Sequence, residues 1–85
     1  MAKTIKIYST SSCPRCTRAK ELMKKWKIDY IEVLVDSSPK GMKEMQQRTD
    51  NARTVPQIFL GDRWLGGLDE LTEAHMDGDL DEFIK

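Results

Sequence analysis

The sequence predicts a small α/β protein, built as one domain over residues 1–85. A strand, a helix and a second strand follow one another within about thirty residues, the length of one β-α-β unit. A second helix, a β-hairpin and a last helix are predicted in the remainder of the chain. A chain of 85 residues also has room for only one modest hydrophobic core.

The first three elements are a strand, a helix and a strand. Residues 3–8 alternate polar and apolar side chains, with Ile5 and Ile7 directed inward, and predict the first strand. Pro14 suits the first turn of a helix. The predicted buried face of this helix consists of Ala19, Leu22, Met23 and Trp26. Residues 29–36 are rich in β-branched and apolar side chains, which predicts a strand parallel to the first and covered on both faces.

The next elements are a helix and a hairpin. Ser37, Ser38 and Pro39 form a cap and helix entry, and the helix is predicted to run to about Thr49. Its inward side chains are Met42, Met45 and Gln46. The hairpin pairs residues 57–60 with residues 63–65 across a Gly61-Asp62 turn. Within it, we interpret Trp64 as surface packing or a partner contact.

The last helix is predicted to begin after Gly66-Gly67 and to end at Gly78. Its buried face would consist of Leu68, Leu71 and Ala74. Residues 80–84 are expected to form one more short turn.

The charges exclude some functions. Fourteen basic and fourteen acidic residues give a net charge of zero, so the sequence offers no general case for binding nucleic acid or an anionic membrane. Cations dominate residues 15–27, and acids dominate residues 69–85.

The first twelve residues lack the apolar stretch of a signal peptide, and no segment approaches the ~20 apolar residues of a membrane span. We therefore expect a cytoplasmic protein.

The two cysteines, Cys13 and Cys16, are separated by two residues. In a reducing compartment this spacing is typical of a redox or a metal site, and a bridge closing so short a loop would stabilise a fold little. A zinc site needs about four ligands, and His75 is the only histidine. A redox-active pair is therefore favoured over a metal site.

Cys13 falls at the N-terminus of the first predicted helix. Unpaired backbone N–H groups and the helix dipole stabilise an anion there, and Arg15 and Arg18 add positive charge. Cys13 is therefore predicted to be the nucleophile. Cys16 lies one turn further into the helix, where a more buried and less acidic thiol suits the attack on a mixed disulfide.

Three motifs together carry a resemblance to a known family. They are Cys13-Pro14-Arg15-Cys16 after the first strand, the Ala52–Pro56 segment before a strand, and Gly66-Gly67-Leu68-Asp69-Glu70 before the last helix. Together they resemble the glutaredoxin family over essentially the whole chain. The resemblance implies a thioredoxin fold, with a four-stranded mixed sheet flanked by three or more helices. It also implies that Pro56 is cis and that Val55 presents its backbone to an extended peptide.

The resemblance further implies a glutathione-dependent thiol-disulfide oxidoreductase with no tightly bound cofactor and no metal. Cys13 and Cys16 would be the catalytic residues. Arg53 would bind the glycine carboxylate of glutathione, the backbone at Gly67 and Leu68 would supply N–H donors, and acidic side chains would bind the γ-glutamyl end. The full set of implied glutathione-binding residues is Arg15, Arg53, Thr54, Val55, Pro56, Gly67, Leu68, Asp69 and Glu70.

Three residues depart from the common family pattern. Arg15 stands where many glutaredoxins have tyrosine, Thr10 where lysine is common, and Leu68 where many have cysteine. Thr10 and Arg15 leave open a redoxin that is reduced by thioredoxin reductase. An iron-sulfur binding module is a third possibility, against which Pro14 argues. The implied partners are glutathione and disulfide-containing proteins such as ribonucleotide reductase, and a monomer is expected.

Overall fold

The structure is a computed structural model that describes residues 4–83, apart from the side chain of Glu82. Lys3 and Ile84, at the ends of the first predicted strand and the last predicted turn, lie outside the described residues. The elements in chain order are β1 (Ile5–Ser9), α1 (Pro14–Lys25), β2 (Tyr30–Leu34), α2 (Pro39–Arg48), β3 (Gln57–Leu60), β4 (Arg63–Gly66) and α3 (Leu68–Met76), followed by a short 3-10 turn (Asp81–Phe83).

The four strands form one mixed sheet in the order β2-β1-β3-β4. β1 pairs in parallel with β2 and antiparallel with β3, and β3 pairs antiparallel with β4. Ile7 therefore lies opposite Glu32 on one side and opposite Ile58 on the other. The predicted mixed four-stranded sheet is confirmed.

Side chains alternate across the sheet, and each face is buried by different helices. Ile5, Ile7 and Ile58 pack with the buried residues of α1 and α3. Tyr8 and Phe59 point to the other face, in a buried cluster that α2 completes. That cluster consists of Tyr8, Val35, Met45 and Phe59.

The helix boundaries follow local signals. Pro14 and Pro39 occupy the first turns of α1 and α2, where a missing N–H costs nothing. The Ser38 hydroxyl accepts a hydrogen bond from the Gly41 N–H at 3.0 Å, which caps α2. α3 ends at Met76, two residues before Gly78, whose φ of 81° is available to glycine at little cost. These starts and stops agree with the predictions.

One prediction about β2 is wrong. β2 was expected to be covered on both faces, but it is an edge strand, and Ile31 is 51% exposed. An edge strand has one neighbour and less helix above it, so part of its apolar surface stays in contact with solvent. Glu32 in the middle of this run also takes a place that a doubly covered strand would give to an apolar side chain.

Two predicted core residues of α1 are only half-buried. Ala19 and Met23 are fully buried, whereas Leu22 and Trp26 lie at the margin of the core. Trp26 stacks on His75 of α3, with ring centroids 3.7 Å apart and an interplanar angle of 11°. In the described part of the chain, no helix is long and apolar enough to cross a membrane.

Candidate active site

Cys13 is the N-cap residue of α1. Its Sγ accepts a hydrogen bond from the Cys16 N–H at 3.1 Å, in the position where serine or aspartate usually caps a helix. On its other side, the thiol lies 3.8 Å from the carbonyl oxygen of Val55. Cys13 is partly exposed and its sulfur sits at the positive end of the helix, the environment that reactive cysteines occupy.

Cys16 lies one turn further along α1 and is fully buried. Burial, reinforced by the hydrogen bond with Cys13, raises the pKa of the Cys16 thiol to about 12. Both cysteines are free thiols in the structure. Cys16 is therefore buried with a raised pKa, as predicted, whereas Cys13 is partly exposed.

The segment facing Cys13 is the turn before β3. The Val55–Pro56 peptide bond is cis, as the family resemblance implied. Pro56 is buried, while Val55 is half-buried with its carbonyl group next to the Cys13 sulfur. The backbone of Val55 is thus positioned beside the thiol.

A cleft of about 420 Å³ begins at this segment. It lies between the N-terminal ends of α1 and α3 and includes residues of both strands of the hairpin. The residues that line it are Arg15, Thr54, Val55, Pro56, Gln57, Trp64, Gly66, Gly67, Leu68 and Glu70.

Most of the predicted binding residues therefore line one cleft. Arg53 and Asp69 are the two that are not among the described lining residues, although each is next in sequence to one that is. Arg53 is exposed. Asp69 instead forms an ion pair with Arg15, with Asp69 Oδ1 3.6 Å from Arg15 Nη2.

The start of α3 forms one end of the cleft. Glu70 accepts a hydrogen bond from the Gly67 N–H at 2.7 Å, so that this carboxylate caps its own helix. Gly66 has a φ of 126°, and a Cβ at this position would lie 2.7 Å from Glu70 Cγ. Because Glu70 already takes the Gly67 N–H, the donors left in the first turn are those of the following residues, including Leu68.

Polar contacts also fix the loop before Cys13. The Asp36 carboxylate accepts hydrogen bonds from Ser11, from its N–H at 3.1 Å and from its hydroxyl at 2.6 Å. These contacts hold the pKa of Asp36 below its usual value. They tie the loop before α1 to the loop after β2.

A second polar group lies beside α1, on the face of the sheet that α1 covers. Glu32 accepts hydrogen bonds from Lys20 Nζ at 2.6 Å and from the Ser9 hydroxyl at 2.7 Å. The contact with Lys20 is the larger cause that lowers the pKa of Glu32, followed by that with Ser9. Lys20 follows Cys16 by one helical turn, so this ion pair fixes α1 against the edge strand.

Comparison with known proteins decides the family. The glutaredoxin family model matches residues 5–65. A glutaredoxin of Neisseria meningitidis is 40% identical over 83 residues, which cover 96% of this chain and 96% of that protein. A glutaredoxin of Pseudomonas aeruginosa is 36% identical over 78 residues, or 92% of each chain. The chain belongs to the glutaredoxin family.

Solved glutaredoxin structures share the fold. The crystal structure of a buckwheat glutaredoxin–glutathione complex matches with a TM-score of 0.81 and 29% identity, over 96% of this chain and 76% of that one. The solution structure of a glutaredoxin from Brucella melitensis matches with a TM-score of 0.77 and 35% identity, over 96% and 88%. The predicted thioredoxin fold is confirmed, and this glutaredoxin is a thiol-disulfide oxidoreductase.

Three lining residues of this glutaredoxin were not predicted. Gly66, Gln57 and Trp64 all face the cleft, although Trp64 was interpreted only as surface packing or a partner contact. The register of the hairpin could have indicated Trp64, because it pairs with Phe59 close to the turn that carries Pro56. Among the described residues, no three His, Cys, Asp or Glu side chains are grouped as ligands for a metal ion.

Proposed function

We propose that this glutaredoxin reduces protein disulfides and glutathione mixed disulfides, with glutathione as its reductant. The observation that carries the proposal is the cleft that begins at Val55, whose carbonyl oxygen lies 3.8 Å from Cys13 Sγ. A tripeptide mixed disulfide bound in this cleft would hold its sulfur next to the nucleophile. The buckwheat relative, whose structure is a complex with glutathione, supports the same conclusion.

Glutathione carries two carboxylates and one amine, so its site must offer donors and cations at one end and acids at another. Arg15, Arg53 and the backbone at Gly67 and Leu68 are the proposed partners of the carboxylates. Leu68 would supply the N–H donor there, because the Gly67 N–H donates to Glu70. Asp69 and Glu70 are the proposed partners of the γ-glutamyl amine. Thr54, Val55 and Pro56 would supply the backbone edge, because an extended peptide can add to it as a strand.

The proposed reaction has two steps. The Cys13 thiolate attacks one sulfur of the substrate disulfide, forms a mixed disulfide and releases the other sulfur as a thiolate, which takes up a proton. For a protein substrate, Cys16 then loses its proton and attacks Cys13, which releases the second substrate thiol and leaves a Cys13–Cys16 disulfide. The substrate has gained two electrons, and the protein has lost two.

Glutathione then restores the dithiol. One glutathione thiolate attacks the Cys13–Cys16 disulfide, and a second one releases Cys13, so two glutathione molecules become one glutathione disulfide. When the substrate is a glutathione mixed disulfide, Cys13 is glutathionylated directly and a single further glutathione releases it. Only the first route uses Cys16.

The proposal extends to the location, the oligomeric state and the protein substrates of this glutaredoxin. We also propose that the protein is a cytoplasmic, monomeric reductase with no tightly bound cofactor. Enzymes that form disulfides during turnover, such as ribonucleotide reductase, are the proposed class of protein substrates.

The test is NADPH oxidation with a glutathione mixed disulfide as substrate, coupled through glutathione and glutathione reductase. A parallel assay replaces glutathione and its reductase with thioredoxin reductase, and Cys13→Ser serves as the inactive control in both. Turnover in the glutathione system supports the proposal. Turnover only with thioredoxin reductase would keep the Cys13 chemistry and refute glutathione as the reductant.

A further inference from the structure

Two side chains outside the predicted site, those of Trp64 and Gln57, form a chain of hydrogen bonds into the cleft. The indole N–H of Trp64 on β4 donates to Gln57 Oε1 at 2.8 Å. Gln57 Nε2 in turn donates to the carbonyl oxygen of Thr54 at 3.0 Å, with the Thr54 hydroxyl at 3.4 Å. The chain therefore runs from the exposed strand β4 to the residue before Val55.

The chemistry of these groups fixes the direction of the chain. An indole nitrogen can only donate, so the oxygen of the Gln57 amide must face Trp64 and its nitrogen must face Thr54. Gln57 is only 7% exposed, so its polar atoms depend on partners within the protein. Loss of the indole donor would leave the Gln57 oxygen unpaired and free the amide to rotate.

The contact with Thr54 also acts on Val55. The carbonyl of Thr54 and the N–H of Val55 belong to one planar trans peptide unit and point in opposite directions. A hydrogen bond that holds Thr54 O toward Gln57 therefore holds the Val55 N–H away from it. This N–H is the donor that an extended peptide needs in order to pair with the segment beside Cys13.

We propose that Trp64 and Gln57 are positioning residues for substrate docking, because their hydrogen bonds fix the peptide unit that presents the Val55 N–H to a glutathionyl peptide. The proposal rests on the proposed function for the identity of that peptide. Trp64 also lines the cleft and is 45% exposed, so its indole ring is a reporter of cleft occupancy. Both residues act on binding and leave the thiol chemistry to Cys13.

Two variants test the proposal. Trp64→Phe keeps an aromatic ring and removes the donor, while Gln57→Glu keeps an acceptor for the indole and removes the donor to Thr54. Each should raise the KM for a glutathione mixed disulfide about threefold to tenfold, the value of one hydrogen bond, with kcat nearly unchanged. Because both act through one chain, the double variant should show less than the product of the two effects.

Trp26→Phe is the matched control, because it removes the other indole N–H, from the residue that follows α1 and stacks on His75 of α3. It should leave KM unchanged, and it makes Trp64 the only tryptophan. The emission of Trp64 in this protein should then change as the mixed disulfide is added. An unchanged KM in both test variants would overturn the proposal. A lower kcat together with a lower melting temperature, without a change in KM, would overturn it as well.

Failure of the proposed function is a separate result. A wild-type protein without turnover in the glutathione system would refute glutathione as reductant and leave the docking edge to be tested directly. The same variants would then be compared in stoichiometric exchange between the reduced protein and a short peptide disulfide. Rates about threefold to tenfold below wild type at subsaturating peptide support the positioning role, and equal rates refute it.

Discussion

Arg15 Nη2 lies 3.6 Å from Asp69 Oδ1, so that the residue after Pro14, which lines the cleft, is paired with the second residue of α3. Their side chains are 60% and 77% exposed. An ion pair this exposed contributes at most about 1 kcal/mol to stability and can open when a ligand offers better partners. Under the proposed function, a carboxylate and the amine of glutathione would be such partners for Arg15 and Asp69.

Arg15→Gln should therefore raise the KM for a glutathione mixed disulfide, by about twofold to fivefold at low salt. The difference from wild type should shrink as ionic strength increases, because exposed charges are screened. Lys25→Gln, which removes an exposed cation at the other end of the same helix, is the control and should leave KM unchanged. Equal KM values for wild type and Arg15→Gln at low salt would remove Arg15 from the proposed site.

Cys16→Ser should separate the two proposed routes. The variant keeps Cys13 and its N-cap position, so it should retain most activity on glutathione mixed disulfides. Most of the activity on a protein disulfide should be lost, because the protein itself then has no second thiol to release the substrate. The measurement is the same coupled assay with the two substrates side by side. Parallel losses on both would contradict separate routes.

Glu32 makes stability depend on acid pH. Lys20 first, and then Ser9, lowers the pKa of Glu32 in the folded protein. A carboxyl group with a lowered pKa adds stability above its unfolded value of about 4.3, and this stability is lost as pH falls through the folded value. Glu32→Gln should thus cost about 1 kcal/mol at pH 7, and the cost should shrink in acid.

Urea denaturation at a series of pH values measures this effect. The neutral amide that replaces the carboxylate could still accept from the Ser9 hydroxyl, so the comparison isolates the charge that pairs with Lys20. Glu21→Gln, an exposed acid on α1, is the control. A cost for Glu32→Gln that stays constant down to about pH 2 would show that the ionised form of Glu32 contributes nothing.

The sequence was informative where structure is set locally. Prolines at the starts of α1 and α2, Gly78 after α3 and the Gly61-Asp62 turn each act within a few residues, and the structure has these elements as predicted. The redox pair could be assigned for the same reason, since Cys13 and Cys16 are one turn apart. The cleft required the family resemblance, because its walls come from separate parts of the chain.

Contacts between distant side chains could not be predicted. Tyr8, Glu44 and Arg48 form a polar group on the α2 face, in which Arg48 donates to the Tyr8 hydroxyl at 3.2 Å and the Tyr8 hydroxyl donates to Glu44. No periodicity links residues nearly forty positions apart. The pairing of Trp64 with Gln57 depends likewise on the hairpin register. The burial of β2 was predicted wrongly, because the apolar content of a strand does not tell whether it lies at the centre or at the edge of the sheet.

The edge position of β2 bears on self-association of the protein through strand pairing. An exposed edge strand with apolar side chains such as Ile31 is a template on which a strand of another chain can pair. Glu32 places a carboxylate in the middle of this edge and keeps it charged through Lys20. A second strand pairing here would have to bury that charge or break the ion pair. The same two residues that fasten α1 to the sheet therefore also discourage self-association through strands.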